Sequence, residues 1–120
     1  MAVTVTNQSN PLGSKIVQDD NTGDVKENTT GANGTIYMIE IDNTAYSTAV
    51  YFKLVNATSA TIGSTAATMV FYCPASSRRS YAFPQGIAFS AGFTHWCTTG
   101  AAESDDTVPT TKPTVRYVTS

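Results

Sequence analysis

The stretch Thr35-Ile36-Tyr37-Met38-Ile39-Glu40-Ile41-Asp42 alternates its side chains with a period of two, so that Tyr37, Ile39 and Ile41 share one face and Met38 and Glu40 the other. This period predicts a half-buried strand with the first set turned inward. After a turn at Asp42-Asn43-Thr44 the pattern returns in Ala49 to Val55, where Val50, Phe52 and Leu54 oppose Tyr51 and Lys53. The lysine marks that second side as facing water. Thr68 to Cys73 then sets Met69, Phe71 and Cys73 against Val70 and Tyr72, and Pro74 ends the ladder because it offers no N–H.

Working outward from these strands, Ser80 to Phe83, Gly86 to Ser90 and Phe93 to Thr98 are short apolar pieces, divided by Pro84-Gln85-Gly86 and by Ala91-Gly92, and Val115 to Val118 follows near the end. No window carries the 3.6-residue spacing of a helix. Thr-rich composition also disfavours helix, because β-branched side chains lose rotamer freedom against the preceding turn. Short strands at close spacing predict an all-β fold, an antiparallel two-sheet β-sandwich of immunoglobulin-like or jelly-roll-like type, over residues 35–120. Residues 1–34 differ, with turn signals at Asn10-Pro11, Asn21-Thr22-Gly23 and Gly31-Ala32-Asn33-Gly34 and weak strands at Ala2 to Thr6 and Lys15 to Val17. They are expected to form an extended N-terminal arm, laid down as an edge strand or two or ordered by a neighbouring subunit. Val3, Val5, Ile16 and Val17 are its candidate interface residues.

A chain of 120 residues is one domain's worth of polypeptide, since domains cluster at roughly 100 to 200 residues. The charged fraction of 13% is about half the usual ~25%, so its polar surface is mostly neutral Thr, Ser, Asn and Gly. A net charge of -2 supplies no basic field for nucleic acid or for an anionic membrane surface. The apolar runs are far shorter than the ~20 residues a membrane helix needs. Met1 to Asn7 lacks a basic n-region and an apolar h-region, so the expected site of synthesis is a cytoplasm.

Catalysis near neutral pH usually needs a His, a reactive Cys or a perturbed carboxylate pair. His95 and Cys97 lie two apart on one strand and so share a face, a superficial likeness to a thiol and imidazole couple. That face also carries Phe93, and no orienting carboxylate stands nearby in sequence, so a packed strand is the stronger reading and no catalytic residue is assigned. Cys73 and Cys97 lack the close-spaced pairs of a zinc site, and two buried free thiols are expected in a reducing compartment. No metal or other cofactor is assigned. Glu103, Asp105 and Asp106 lack the spacing of a calcium loop and read as a solvated turn. Sequons at Asn7, Asn28, Asn33 and Asn56 are what an Asn- and Thr-rich chain produces by chance. Arg78 and Arg79 are candidates to grip a carboxylate on a partner, and Trp96 is a candidate for core, subunit contact or ligand stacking.

The run Tyr81-Ala82-Phe83-Pro84-Gln85-Gly86-Ile87-Ala88-Phe89-Ser90-Ala91-Gly92-Phe93, continued by Cys97 to Thr107 and preceded by Asp42-Asn43-Thr44-Ala45-Tyr46-Ser47-Thr48-Ala49-Val50-Tyr51-Phe52-Lys53-Leu54, resembles small structural proteins of tailed bacteriophages and prophages. The likeness covers about residues 35–118. It implies a non-enzymatic virion component made in the host bacterial cytoplasm, most simply a decoration or cement protein on the capsid exterior. Its implied partners are the major capsid protein and further copies of itself, a trimer being the expected oligomer. A receptor- or carbohydrate-binding module of the tail is the alternative the same residues leave open, with Trp96 and tyrosines as the stacking surface.

Overall fold

The alternating apolar stretches become strands in the computed structural model, which describes residues 3–7 and 14–120. These are β1 (Val3–Asn7), β2 (Lys15–Asp19), β3 (Gly34–Asn43), β4 (Val50–Asn56), β5 (Met69–Cys73), β6 (Ser77–Phe89), β7 (Phe93–Thr98) and β8 (Thr114–Thr119). No helix occurs among the described residues. The Asn10-Pro11 turn, Met1, Ala2 and the Gln8-Ser9 part of the first sequon lie outside them.

The strands form two antiparallel sheets, a larger one in the order β1-β2-β8-β3-β6 and a smaller one in the order β5-β4-β7. Their inward faces share one apolar core. Val17, Ile36, Ile39, Ile41, Val115 and Tyr117 come from the larger sheet; Val50, Phe52, Leu54, Phe71, Phe93 and Cys97 come from the smaller. Each side buries what the other would leave exposed.

Three local departures from the expected pattern have physical causes. In β3 the register shifts between Ile36 and Met38 in both of its ladders, so Ile36 rather than Tyr37 joins Ile39 and Ile41 in the core. On the partner strand the same irregularity accommodates Phe83-Pro84-Gln85-Gly86, because Met38 pairs with Ala82 and Ile36 with Ile87. The two pieces expected on either side of Pro84 are therefore one long strand, β6. It is an edge strand, where a missing N–H leaves no ladder bond broken. Gly86 makes the turn: its φ is +76°, and a Cβ there would collide with Thr35 Cγ2.

The third departure is Lys53, expected in water but only 1% exposed. The loop that follows β7 folds back over the outer face of the smaller sheet, and the Lys53 ammonium donates to the Ala102 carbonyl at 2.8 Å. Gly63, in the loop after β4, lies against Asp106 and Ser104, so the two loops meet over this face.

Residues 15–34 are woven into the sandwich. β2 lies between β1 and β8, paired with β8 from Lys15↔Thr119 to Asp19↔Val115. The chain then runs beside the β7 edge, with Lys26 N donating to His95 O at 2.8 Å and His95 N to Lys26 O at 3.1 Å. Cys97 N donates to Gly23 O at 2.9 Å and Thr29 N to Phe93 O at 2.9 Å. The boundary expected after residue 34 is thus crossed by backbone pairing on both sheets.

Candidate functional site

Alternation along β2 carries Val17 and Asp19 to the same inward face, and alternation along β8 does the same for Val115 and Tyr117. β7 presents His95 to the same interior. The result is a cluster of polar side chains enclosed by the sandwich, with Asp19, His95 and Tyr117 all at 0% exposure. His95 Nε2 lies 2.7 Å from Asp19 Oδ2, and His95 Nδ1 lies 2.9 Å from the Tyr117 hydroxyl. The Thr29 hydroxyl is 2.7 Å from that of Tyr117. With a neutral ring, Nε2–H donates to Asp19 and Tyr117 donates to Nδ1, while the single Thr29 proton is shared between the Tyr117 oxygen and the Phe93 carbonyl, 3.3 Å away.

Lys26 closes the outer end. Its ammonium donates to both Asp19 carboxylate oxygens, at 3.1 and 3.0 Å, and to Asn21 O at 3.1 Å. Asn21 N donates to Asp19 Oδ1 at 3.0 Å, and the Thr22 hydroxyl to Asp19 O at 2.9 Å. Burial alone would push the Asp19 carboxyl up, yet the bonds from His95 and Lys26 outweigh it and hold the group down at about 2. His95 is held below its ordinary value, mainly because burial disfavours the imidazolium, although Asp19 pulls the other way. Burial pushes the Tyr117 phenol up. At neutral pH the cluster is a carboxylate paired with an ammonium, a neutral imidazole and a neutral phenol.

Chemically this arrangement clasps rather than reacts. A base or nucleophile needs a free lone pair facing a substrate, and both His95 nitrogens are already bonded within a closed interior. Cys97 is not bonded to His95. Its thiol is pushed up to about 12 by burial, far from the thiolate a nucleophile requires. Cys73 is also a free, buried thiol, raised by burial, whose Sγ lies 3.5 Å from Ser77 O. Among the described residues, no three His, Cys, Asp or Glu side chains gather as a metal site.

The expected interface residues fall in different places. Val17 is fully buried and Trp96 is 1% exposed, so both serve the monomer's own packing instead of facing another chain. Trp96 sits on the outer face of the smaller sheet, in register with Lys53 and enclosed as Lys53 is. Val3 packs against the core and Ile16 is half-buried, while Val5 is 40% exposed on β1. Arg78 and Arg79 are both exposed on β6, Arg78 paired with Asp42 at 2.8 Å. Sequence reasoning missed Asp19, Lys26, Thr29 and Tyr117. For Asp19 and Tyr117 a signal existed, because each lies two residues from a core valine on its own strand.

A second region stands out on the outer face of the smaller sheet. Val70 and Tyr72 on β5 are 47% and 41% exposed. Tyr72 lies beside Tyr51, ring centroids 5.3 Å apart, and the Arg79 guanidinium stands 5.9 Å from the Tyr72 ring centre. Comparison of the chain with family models, curated proteins and solved structures found no match.

Proposed function

We propose that the chain is a non-enzymatic structural protein of a bacteriophage particle, of the decoration or cement kind, which binds the outer shell and stabilises it through contacts between subunits. The observation that carries this reading is the division of the molecule. Its chemically capable groups, His95, Asp19, Cys73 and Cys97, are enclosed, while an exposed patch at Val70 and Tyr72 offers shape and apolar area. The resemblance of residues 35–118 to phage structural proteins points the same way. Such a protein adheres; it does not turn a substrate over.

We read the sandwich further as a jelly roll. With the Lys26 segment counted beside β7, the sheets run β2-β8-β3-β6 and Lys26 segment-β7-β4-β5, with β1 as an added edge strand. That order supports a double Greek key of four strands on four. The tail-module alternative draws on the pair of half-buried Tyr51 and exposed Tyr72, which takes the stacking role first considered for Trp96.

The test is to prepare particles with and without the protein. Cementing predicts that particles lacking it release DNA on milder heating while adsorbing to cells normally, and that added protein restores heat resistance. Particles of unchanged heat resistance that fail to adsorb would replace the shell reading with the tail one.

A further inference from the structure

We propose that the exposed β5 edge of the smaller sheet's outer face, together with the loop that covers the rest of that face, is a self-association surface through which two copies of this chain pair about a two-fold axis. Val70, Tyr72 and Arg79 of each copy meet the acidic loop, residues 103–106, of the other. The inference does not depend on a place in a virus particle.

Three large hydrophobic side chains are strongly exposed among the described residues, and two of them, Val70 and Tyr72, stand two apart on β5. Both point away from the core, since Phe71 and Cys73 between and beyond them point inward. The pair offers a small apolar area that a second surface would cover. Arg79 sharpens the point. It reaches from β6 to the Tyr72 ring on the outer side of β5 and forms no salt bridge among the described residues, whereas its neighbour Arg78 is tied to Asp42. A guanidinium laid against an aromatic ring is held ready for a carboxylate.

The same face supplies that carboxylate in a second copy. Tyr51 is in register with Tyr72 on one side and with Thr98 on the other. At about 4.8 Å between strands, Tyr72 and Thr98 lie roughly 10 Å apart. The loop that starts after Thr98 carries Glu103 and Asp106, both exposed. Asp105 is occupied within the loop, accepting from Thr107 N at 2.8 Å.

An apolar, cationic half and an anionic half side by side on one surface are complementary to the same surface turned by a half-rotation, which is the definition of an isologous contact. A two-fold pair follows from this placement. The threefold ring expected from the sequence would need the two halves on different sides of the molecule.

The experiment is sedimentation velocity on the purified full-length chain over a concentration series, in low and high salt. The expected result is a monomer-dimer equilibrium near about 10 µM that weakens in ~1 M salt, where charges further apart than about 3 Å are screened. Arg79→Glu should weaken the pair by about tenfold or more, and Glu103→Lys with Asp106→Lys in that background should recover it. Tyr72→Ser should weaken it with no change in circular dichroism. A wild-type chain that stays monomeric at about 200 µM would overturn the proposal. So would a closed trimer, a dimer indifferent to Arg79→Glu and Tyr72→Ser, or a charge swap that recovers nothing. A chain that stays single in solution but has Tyr72 covered on a shell or by a glycan would give the face to that other occupant, and would overturn it equally.

Discussion

The two edges of the smaller sheet have opposite fates. At the β7 edge, the segment around Lys26 lies alongside His95, and the charges that arrive with it are paired inside the sandwich. At the β5 edge, the side chains turned outward are Val70 and Tyr72, with Arg79 against the ring. A buried charge is tolerated only when its partners are fixed, so the β7 edge must be rigid and complete in the monomer. An exposed apolar pair asks nothing of its own fold and is left for another surface. The difference separates residues that hold the molecule together from residues available to hold something else.

The sharpest break of that contrast is Asp19→Ala. It leaves His95 Nε2, in a closed interior, and the partly exposed Lys26 ammonium without the carboxylate that pairs them. Removing one partner of a buried pair typically costs about 3–5 kcal/mol, a large part of the stability of a domain this size. Urea unfolding of the variant should show that loss, or the protein should fail to accumulate folded. A loss below about 1 kcal/mol would mean that the cluster is solvated in solution and the edge is not closed.

Acid should act on the same edge without any substitution. The groups facing His95 are Asp19 from β2, Tyr117 from β8 and Lys26 from the crossing segment. The folded His95 is held below its ordinary value of 6.5, so the unfolded chain takes up a proton first as pH falls, and stability declines from about pH 6.5 downward. Asp19 is held at about 2 against 3.8, so its contribution is complete above about pH 3.8 and is lost as pH falls through about 2. That second part amounts to about 2 kcal/mol. Both signs agree: the fold weakens with acid. Urea midpoints measured from pH 8 to pH 3 should fall monotonically, and a midpoint that stays flat or rises below pH 6 would show His95 to be charged in the native state.

How much of this could be read from the chain alone follows from the range over which each feature is encoded. β4 and β5 were legible because a period of two needs only neighbours: Phe52 with Leu54, and Phe71 with Cys73, face inward as the alternation requires. Lys53 and Trp96 were not, because what encloses their face is the polar loop after β7, whose own sequence announces only a turn. The polar cluster was hidden for a different reason. His95 and Asp19 are 76 residues apart, and Gln18-Asp19-Asp20-Asn21 reads locally as a polar turn. Pairing β2 with β8 is what carries Asp19 into the core, and pairing is a property of the whole sheet. Pro84 misled in the other direction, since a proline that would interrupt a central strand is harmless on the free edge of β6.

The smallest effect on stability belongs to the β5 edge, and its smallness is the point. Tyr72→Ser removes a ring that is 41% exposed and touches Tyr51 and Arg79 at the surface. Surface substitutions of this kind usually change stability by no more than about 0.5 kcal/mol, apart from a tilted ring pair worth about 0.5–1.5 kcal/mol. Val70→Thr should be milder still, because Thr keeps the β-branched shape that suits a strand and exchanges one exposed methyl for a hydroxyl. Urea midpoints for both variants should therefore sit close to wild type while their sedimentation differs from it. If Val70→Thr instead destabilised the monomer by about 2 kcal/mol, β5 would be packed against part of its own chain, and the two edges would be closed alike.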